Sequence, residues 1–384
     1  MLRILTAGES HGPACLAIIE GMPAGVGLGV ADINEDLKRR RSDFGRGGRK
    51  HIEEDRVEIL SGVRYGKTLG SPITLMVRNV DFANWREAMS LEETKNPSPP
   101  VTKPRPGHAD LAGALKYGQD DIRNISERAS ARETISRVMA GAAVKQMLAE
   151  FAISVASHTV GIGAVTLSRS DYDFDEVAKV FNTDPDIRCV DSATSKKMKQ
   201  AIKEAGDRKD TLGGVIEVIA RGVPAGLGSV MHYDRRLDGR IAQALTCIPS
   251  AKAVAIGNAI AGTGMPGSRF HDPISYKDNR FTRPTNNSGG IEGGMTNGEN
   301  IVCRVFHKPI ATLGEPLETV DIATRQSAKA GVERSDICAV PRAGVIAEAM
   351  LALVLAEAMI EKFGGDHIDE MKRNFSAYLK ERGL

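Results

Sequence analysis

Aromatic side chains are scarce in this sequence: Phe, Trp and Tyr make up 4% of its 384 residues, and there is one Trp. A core built with so few of them rests on Val, Ile, Leu, Ala and Met. The scarcity also removes the interleaved aromatics on which single-stranded nucleic acid stacks. Cysteine is sparse and odd in number. Cys15, Cys189, Cys247, Cys303 and Cys338 include no C-x-x-C pair, so neither a disulfide framework nor a zinc site of that type is expected, and no metal is assigned. Net charge is nearly absent at +2, so any electrostatic role falls to local clusters. A long uninterrupted apolar run is missing as well. The best stretch, Val345–Ile360, is broken by Glu348 and Glu357 and reads as a buried helix, since a membrane span needs about 20 apolar residues. The opening MLRILTAGESHG carries no apolar segment of signal-peptide length, so a cytoplasmic location is expected. No Walker A motif, no G-x-G-x-x-G in a strand–turn–helix context and no G-x-S-x-G elbow occurs. A standard Rossmann dehydrogenase or serine hydrolase therefore loses ground.

What is there suits a soluble globular protein: 41% apolar and 26% charged residues, in a chain long enough for two fused units or one fold with a doubled core. An internal echo favours the doubled core. Residues 12–27 read GPACLAIIEGMPAGVG and residues 213–228 read GGVIEVIARGVPAGLG, at a constant offset of 201. Each copy is an apolar run that fits a buried strand, then a P-A-G turn, then a segment that reads as a helix, Ala31–Arg41 or Asp234–Thr246. The expectation is one domain over 1–384, with related halves marked by 12–28 and 213–229. Further helices are expected over Ser130–Phe151, Asp175–Asn182, Ser195–Ala205 and Gly344–Lys362. Strands are expected over Val57–Leu60, Ile73–Val77, Ala152–Ile162, Val215–Ala220 and Ile301–Phe306. The cadence lacks regular βαβ units, so the class is α+β and not a doubly wound sheet. Asn96–Gly107, with five prolines, must be extended; Asn286–Gly298, with five glycines, is a flexible loop or a close approach of backbone to a ligand.

Several constellations could carry chemistry. His11, in Gly8-Glu9-Ser10-His11-Gly12, follows a short apolar run and is placed to exchange protons near neutral pH; a surface turn is the plain alternative. Residues 38–50 hold seven cations, Lys38, Arg39, Arg40, Arg41, Arg46, Arg49 and Lys50, against one acid, Asp43. Arginine forks match phosphate and carboxylate, while a solvated basic face or nucleic-acid contact is the competing reading. The proline segment delivers His108 with Asp110 two residues on. Ser126 or Ser130 could cap a helix carrying Arg132 and Glu133, with backbone donors for an anion. Arg334-Ser335-Asp336 precedes the long C-terminal apolar helix, where a Ser or Asp could simply be its cap.

Together these stretches closely resemble the chorismate synthase family. GESHGPACLAIIEGMP at 8–23, ERASARETISRVMAGA at 127–142 and RSDICAVPRAGVIAEAM at 334–350 carry the match, supported by RPGHADL at 105–111 and NNSGGIEGG at 286–294. Ile337 stands where many members have proline, and Pro249-Ser250 where many have Asn-Ala. The resemblance implies a β-α-β sandwich with a pseudo-twofold core, a homotetramer, and an anti-1,4 elimination of phosphate from 5-enolpyruvylshikimate-3-phosphate to chorismate, the last common step of the shikimate pathway to aromatic amino acids. It requires reduced FMN without net redox change, with NADPH entering only indirectly to reduce flavin, through a separate flavin reductase since no appended domain is visible. By the same resemblance His11 serves the departing phosphate, His108 the reduced flavin and Asp336 proton removal. Ser10, Arg40, Arg46, Arg49 and Arg132 would bind substrate. Flavin would rest on Arg128, Ala129, Ser130, Pro249, Ser250, Gly293, Lys308, Pro309, Ile310, Ala311, Thr312 and Arg334. No nucleic-acid or membrane partner is expected. A flavin-dependent oxidoreductase and a basic nucleic-acid-binding protein are the alternatives.

Overall fold

The computed structural model describes residues 1–384 except 46–54, 96, 170, 278–279, 333–335 and 384. Arg46, Arg49 and Arg334 therefore lie outside the described residues. Two antiparallel sheets enclose a layer of helices. In the first, the strand order is Arg3–Ala7, Ala14–Glu20, Ile73–Arg78, Val57–Ser61. In the second it is Ser154–Ile162, Gly214–Arg221, Ile301–His307, Ala251–Ile256, with Val165–Thr166 added outside the first of these. Each sheet thus runs first, second, fourth, third in chain order, and each inserts one helix, Val30–Arg41 or Leu237–Thr246, between its second and third long strands. Each is then followed by a longer helix: Thr134–Ala149 packs on the first sheet and Val340–Phe363 on the second, and these two pack on each other. Alternation explains the layering. Ile73, Leu75 and Val77 are fully buried toward the helices, as are Ile301, Cys303 and Val305 in the second sheet. Where the two long helices cross, a Cβ on Gly141 would sit 2.3 Å from the Ala349 Cβ, so only glycine permits this approach.

The two P-A-G turns are held in the same way. Thr68 Oγ1 accepts from Val26 N at 3.0 Å and donates to Pro23 O at 2.5 Å. Thr296 Oγ1 accepts from Leu227 N at 2.8 Å and donates to Pro224 O at 2.6 Å. The C-terminal helix Ile368–Arg382 reaches both turns: Ile368 N donates to Ala24 O, and the Tyr378 hydroxyl to Ala225 O at 3.0 Å.

Element types agree with the sequence, while several boundaries move. The Gly344–Lys362 helix starts earlier, at Val340, because Pro341 is accommodated in its first turn, where its missing N–H costs nothing. Tyr233–Arg235 is a separate 3₁₀ turn, and Leu237 opens the helix assigned to Asp234–Thr246. The Ser130–Phe151 segment begins as a 3₁₀ turn over Ala131–Glu133. The strand Ala251–Ile256 and the helices Asp110–Tyr117, Arg123–Ala129 and Ile368–Arg382 were not anticipated. The Val340–Phe363 helix is long and apolar enough to cross a membrane, but 83% of its most apolar window is buried within the protein.

Candidate active site

Three polar groups gather the residues singled out by the sequence. The first surrounds His11, in the loop between the first two strands. That loop needs a glycine at its start, for Gly8 has φ +110° and a Cβ there would lie 2.3 Å from Ala14 O. Glu127, at 7% exposure, grips the loop with both oxygens: Oε1 lies 2.7 Å from His11 Nδ1 and Oε2 accepts from His11 N at 2.7 Å. The indole of Trp85 stacks on the imidazole, with ring centroids 3.7 Å apart and planes 23° apart. Ser10 is buried, accepting from the Ser130 hydroxyl at 3.0 Å. Arg128 spends its guanidinium on Gly8 O and on the carbonyl and hydroxyl of Thr6, so its side chain braces the loop. Arg40 donates to Thr134 Oγ1 and Ala131 O, each at 3.0 Å, and lies 3.8 Å from Asp55. Arg132 approaches the same carboxylate at 3.5 Å. Arg40 and Arg132 thus meet at Asp55, and the two guanidiniums line one wall of this group. Ser130 accepts from Arg132 N and so caps the 3₁₀ turn, as one of the two serines was expected to cap a helix.

The second group surrounds His108. Asp110, at 1% exposure, has Oδ1 2.5 Å from His108 Nδ1, and its other oxygen accepts from Arg105 Nε at 2.8 Å and Arg105 N at 3.0 Å. Burial alone would raise the Asp110 carboxyl; the hydrogen bonds from His108 and Arg105 outweigh it and hold the group well below the usual carboxylate range. The segment Lys308–Thr312 lies alongside: Lys308 Nζ donates to Gly107 O at 2.6 Å and Arg105 reaches the Thr312 hydroxyl at 3.4 Å. Burial and the nearby Lys252 lower the Lys308 ammonium from its ordinary value. Ser250, with φ +71°, receives the Lys308 N–H on its carbonyl at 2.9 Å, and its hydroxyl lies 3.0 Å from His307 Nδ1. Burial pushes the His307 imidazole down to about 4.

The third group holds Asp336, whose carboxylate pairs with Arg342 at 2.7 Å; Arg342 also meets the buried Asp43 at 3.2 Å. Asp336 does not cap the following helix, whose first flanking residue is Ala339 with no side-chain cap. Ile337 N donates to Gly45 O at 2.9 Å, a bond that a proline at this position could not make. This bond ties the Asp336 segment to the start of the basic loop.

Backbone contacts string the groups together. Arg40 and Asp43 belong to one helix end, joining the first group to the third. Leu212 N donates to Ile337 O at 3.0 Å and the Thr211 hydroxyl to Ile310 O at 2.8 Å, joining the third to the second. Gly293 stands apart, in the turn of the hairpin Ile291–Thr296, lining a cavity of about 380 Å³ with Asp238, Phe270, His271 and Glu292. Sequence reasoning missed Glu127, Trp85, Arg105, Asp55 and Arg342 as site residues. Glu127 opens one of the three family-like stretches, which was the available signal.

Two antiparallel sheets of matching order around a helical layer, with imidazoles tethered to buried carboxylates beside paired arginines, define an enzyme equipped for proton transfer to and from an anion. The profile of the chorismate synthase family matches residues 2–360. Proteins named chorismate synthase are similar throughout: that of Moorella thermoacetica is 53% identical, over 98% of both chains, and that of Symbiobacterium thermophilum 52% identical, over 99% of both. A crystal structure of chorismate synthase superposes with a TM-score of 0.80 at 40% identity, covering 100% of this chain and 98% of that one. The chain belongs to the chorismate synthase family, and its activity is that of a carbon–oxygen lyase; neither the oxidoreductase nor the nucleic-acid alternative finds support.

Proposed function

We propose that this chain converts 5-enolpyruvylshikimate-3-phosphate to chorismate with His11 at the departing phosphate, His108 beside reduced flavin and Asp336 at the C6 hydrogen. The observation that carries the division of labour is the matched tethering of the two imidazoles, each fixed at Nδ1 by a buried carboxylate, Glu127 or Asp110. Proton exchange then runs through Nε2 in both, and neither ring need reorient during turnover. The C3–O bond breaks and phosphate departs, its charge met by His11 and by the Arg40–Arg132 wall, with Ser10 close by. The C6 hydrogen leaves as a proton toward Asp336, which Arg342 holds in place, and the new double bond forms. Arg46 and Arg49 would complete the substrate clamp.

Reduced FMN, when bound, supplies electron density to the substrate as phosphate leaves and recovers it afterwards. The chain's donors fit such a group: Lys308 and Arg105 tie the Lys308–Thr312 segment to the His108 loop, and the Ser250 carbonyl, next to Pro249, holds Lys308 N. Ala129 and Ser130 would contribute from the neighbouring turn, with Arg128 bracing the His11 loop beside them and Arg334 as a further cation. Gly293 belongs to this set only if its hairpin reaches the flavin from another subunit. NADPH would act indirectly, through a separate reductase, in the cytoplasm. A homotetramer is favoured by the outer face of the first sheet, where Leu5, Ile18 and Leu60 are exposed together. The shared strand order and the Thr68 and Thr296 contacts favour a single unit built by duplication, with halves marked by 12–28 and 213–229.

The test is anaerobic incubation with dithionite-reduced FMN and 5-enolpyruvylshikimate-3-phosphate. Phosphate and chorismate appear together in equal amounts while the flavin ends reduced. Net oxidation of flavin per turnover would overturn the reading.

A further inference from the structure

We infer that Trp85 is a positioning residue for His11, fixing the plane of the imidazole that faces the leaving phosphate. The inference rests on the acid–base role proposed for His11.

Two constraints are needed to hold a ring. Glu127 fixes the edge of the imidazole, through Nδ1 at 2.7 Å. The indole fixes the face: at 3.7 Å between centroids the two rings are in contact, and turning the imidazole out of its plane would drive it into the indole. The indole is itself anchored. Its Nε1 donates to Asp81 Oδ2 at 3.1 Å, and Asp81 N donates to Asn79 Oδ1 at 3.2 Å. Asn79, only 8% exposed, donates from Nδ2 to Gly12 O at 2.8 Å and Ser10 O at 3.3 Å, and from N to Pro13 O at 2.9 Å. Residues 79–85 thus form a strap that starts on the carbonyls flanking His11 and returns to cover its ring. Among the charged groups of the described residues, Glu127 on the Arg123–Ala129 helix is bonded to the ring; Glu9 lies on the ring's own loop, Asp81 holds the indole and Arg128 grips Gly8 O.

Trp85 is the sole tryptophan, so the protein's tryptophan emission comes from this site. An imidazole stacked on indole quenches its fluorescence, so in flavin-free protein at one fixed pH His11→Gln is expected to raise the emission. Equal emission in wild type and His11→Gln overturns the stacking. In turnover, Trp85→Leu lowers kcat roughly 3- to 30-fold with KM within about twofold, while Trp85→Phe, which keeps an aromatic face, retains most of the rate. Wild-type kcat in Trp85→Leu, or equal losses in the Leu and Phe variants, overturns the positioning role. Full turnover in His11→Gln would instead sink the acid–base assignment of His11, so the two failures are distinguishable.

Discussion

Asp110 binds two neighbours of the same segment at once, His108 through Oδ1 at 2.5 Å and Arg105 through Oδ2 at 2.8 Å. A neutral amide there could satisfy one of them but would lose charge assistance to both. Asp110→Asn is expected to lower kcat/KM by roughly 10- to 100-fold, the range for a charge-assisted hydrogen bond. Anaerobic phosphate release measures it, and an unchanged kcat/KM refutes the tether.

His11→Ala removes the group assigned to the departing phosphate and should lower turnover by about 10²–10⁴. Binding of substrate, followed by equilibrium dialysis, should fall much less, because Arg40 and Arg132 remain. A rate equal to wild type under anaerobic reducing conditions would falsify the role.

Thr68 and Thr296 make equivalent bonds to their P-A-G turns, and both are buried, at 3% and 4% exposure. Valine keeps the shape and deletes the hydroxyl, leaving a buried N–H and a buried carbonyl unmet. Each Thr→Val change should therefore cost about 1–3 kcal/mol in denaturant unfolding. A loss at one position only would argue that the halves are not equivalent.

Acid should weaken the fold in two steps with different causes. His307 is held down to about 4 by burial, so below its ordinary 6.5 the unfolded chain takes up a proton that the folded chain refuses. Stability then falls from pH 6.5 toward 4, and His307→Asn should flatten that part of the curve. Glu348, fully buried, would be raised by burial alone, but Arg39 and then Lys145 hold it well below its ordinary 4.5. Its contribution is complete above 4.5 and disappears as pH falls through the lower folded value. Thermal melts between pH 7 and pH 3 separate the two, and a flat profile between 6.5 and 4.5 would contradict the first.

The sequence by itself determined many of the elements and marked the residues whose chemistry is proposed above. Period-2 and period-3.6 patterns are local, so Ile73–Arg78 and Val340–Phe363 were legible within a few residues. The repeated P-A-G turn was legible because proline and glycine fix backbone angles wherever they stand. His11 and His108 were legible because few residue types exchange protons near neutral pH. The sequence did not contain the partners. Glu127 lies 116 positions from His11, and Trp85 reaches that ring only because Asn79 anchors its segment on the carbonyls of the His11 loop. Arg128 is placed at the flavin by resemblance, and its guanidinium also braces Thr6 and Gly8, contacts that its position in the sequence does not announce. Those choices belong to tertiary structure for a physical reason: a carboxylate or guanidinium becomes a tether, a brace or an anion site according to what burial brings within hydrogen-bond distance, and sequence spacing does not encode that distance.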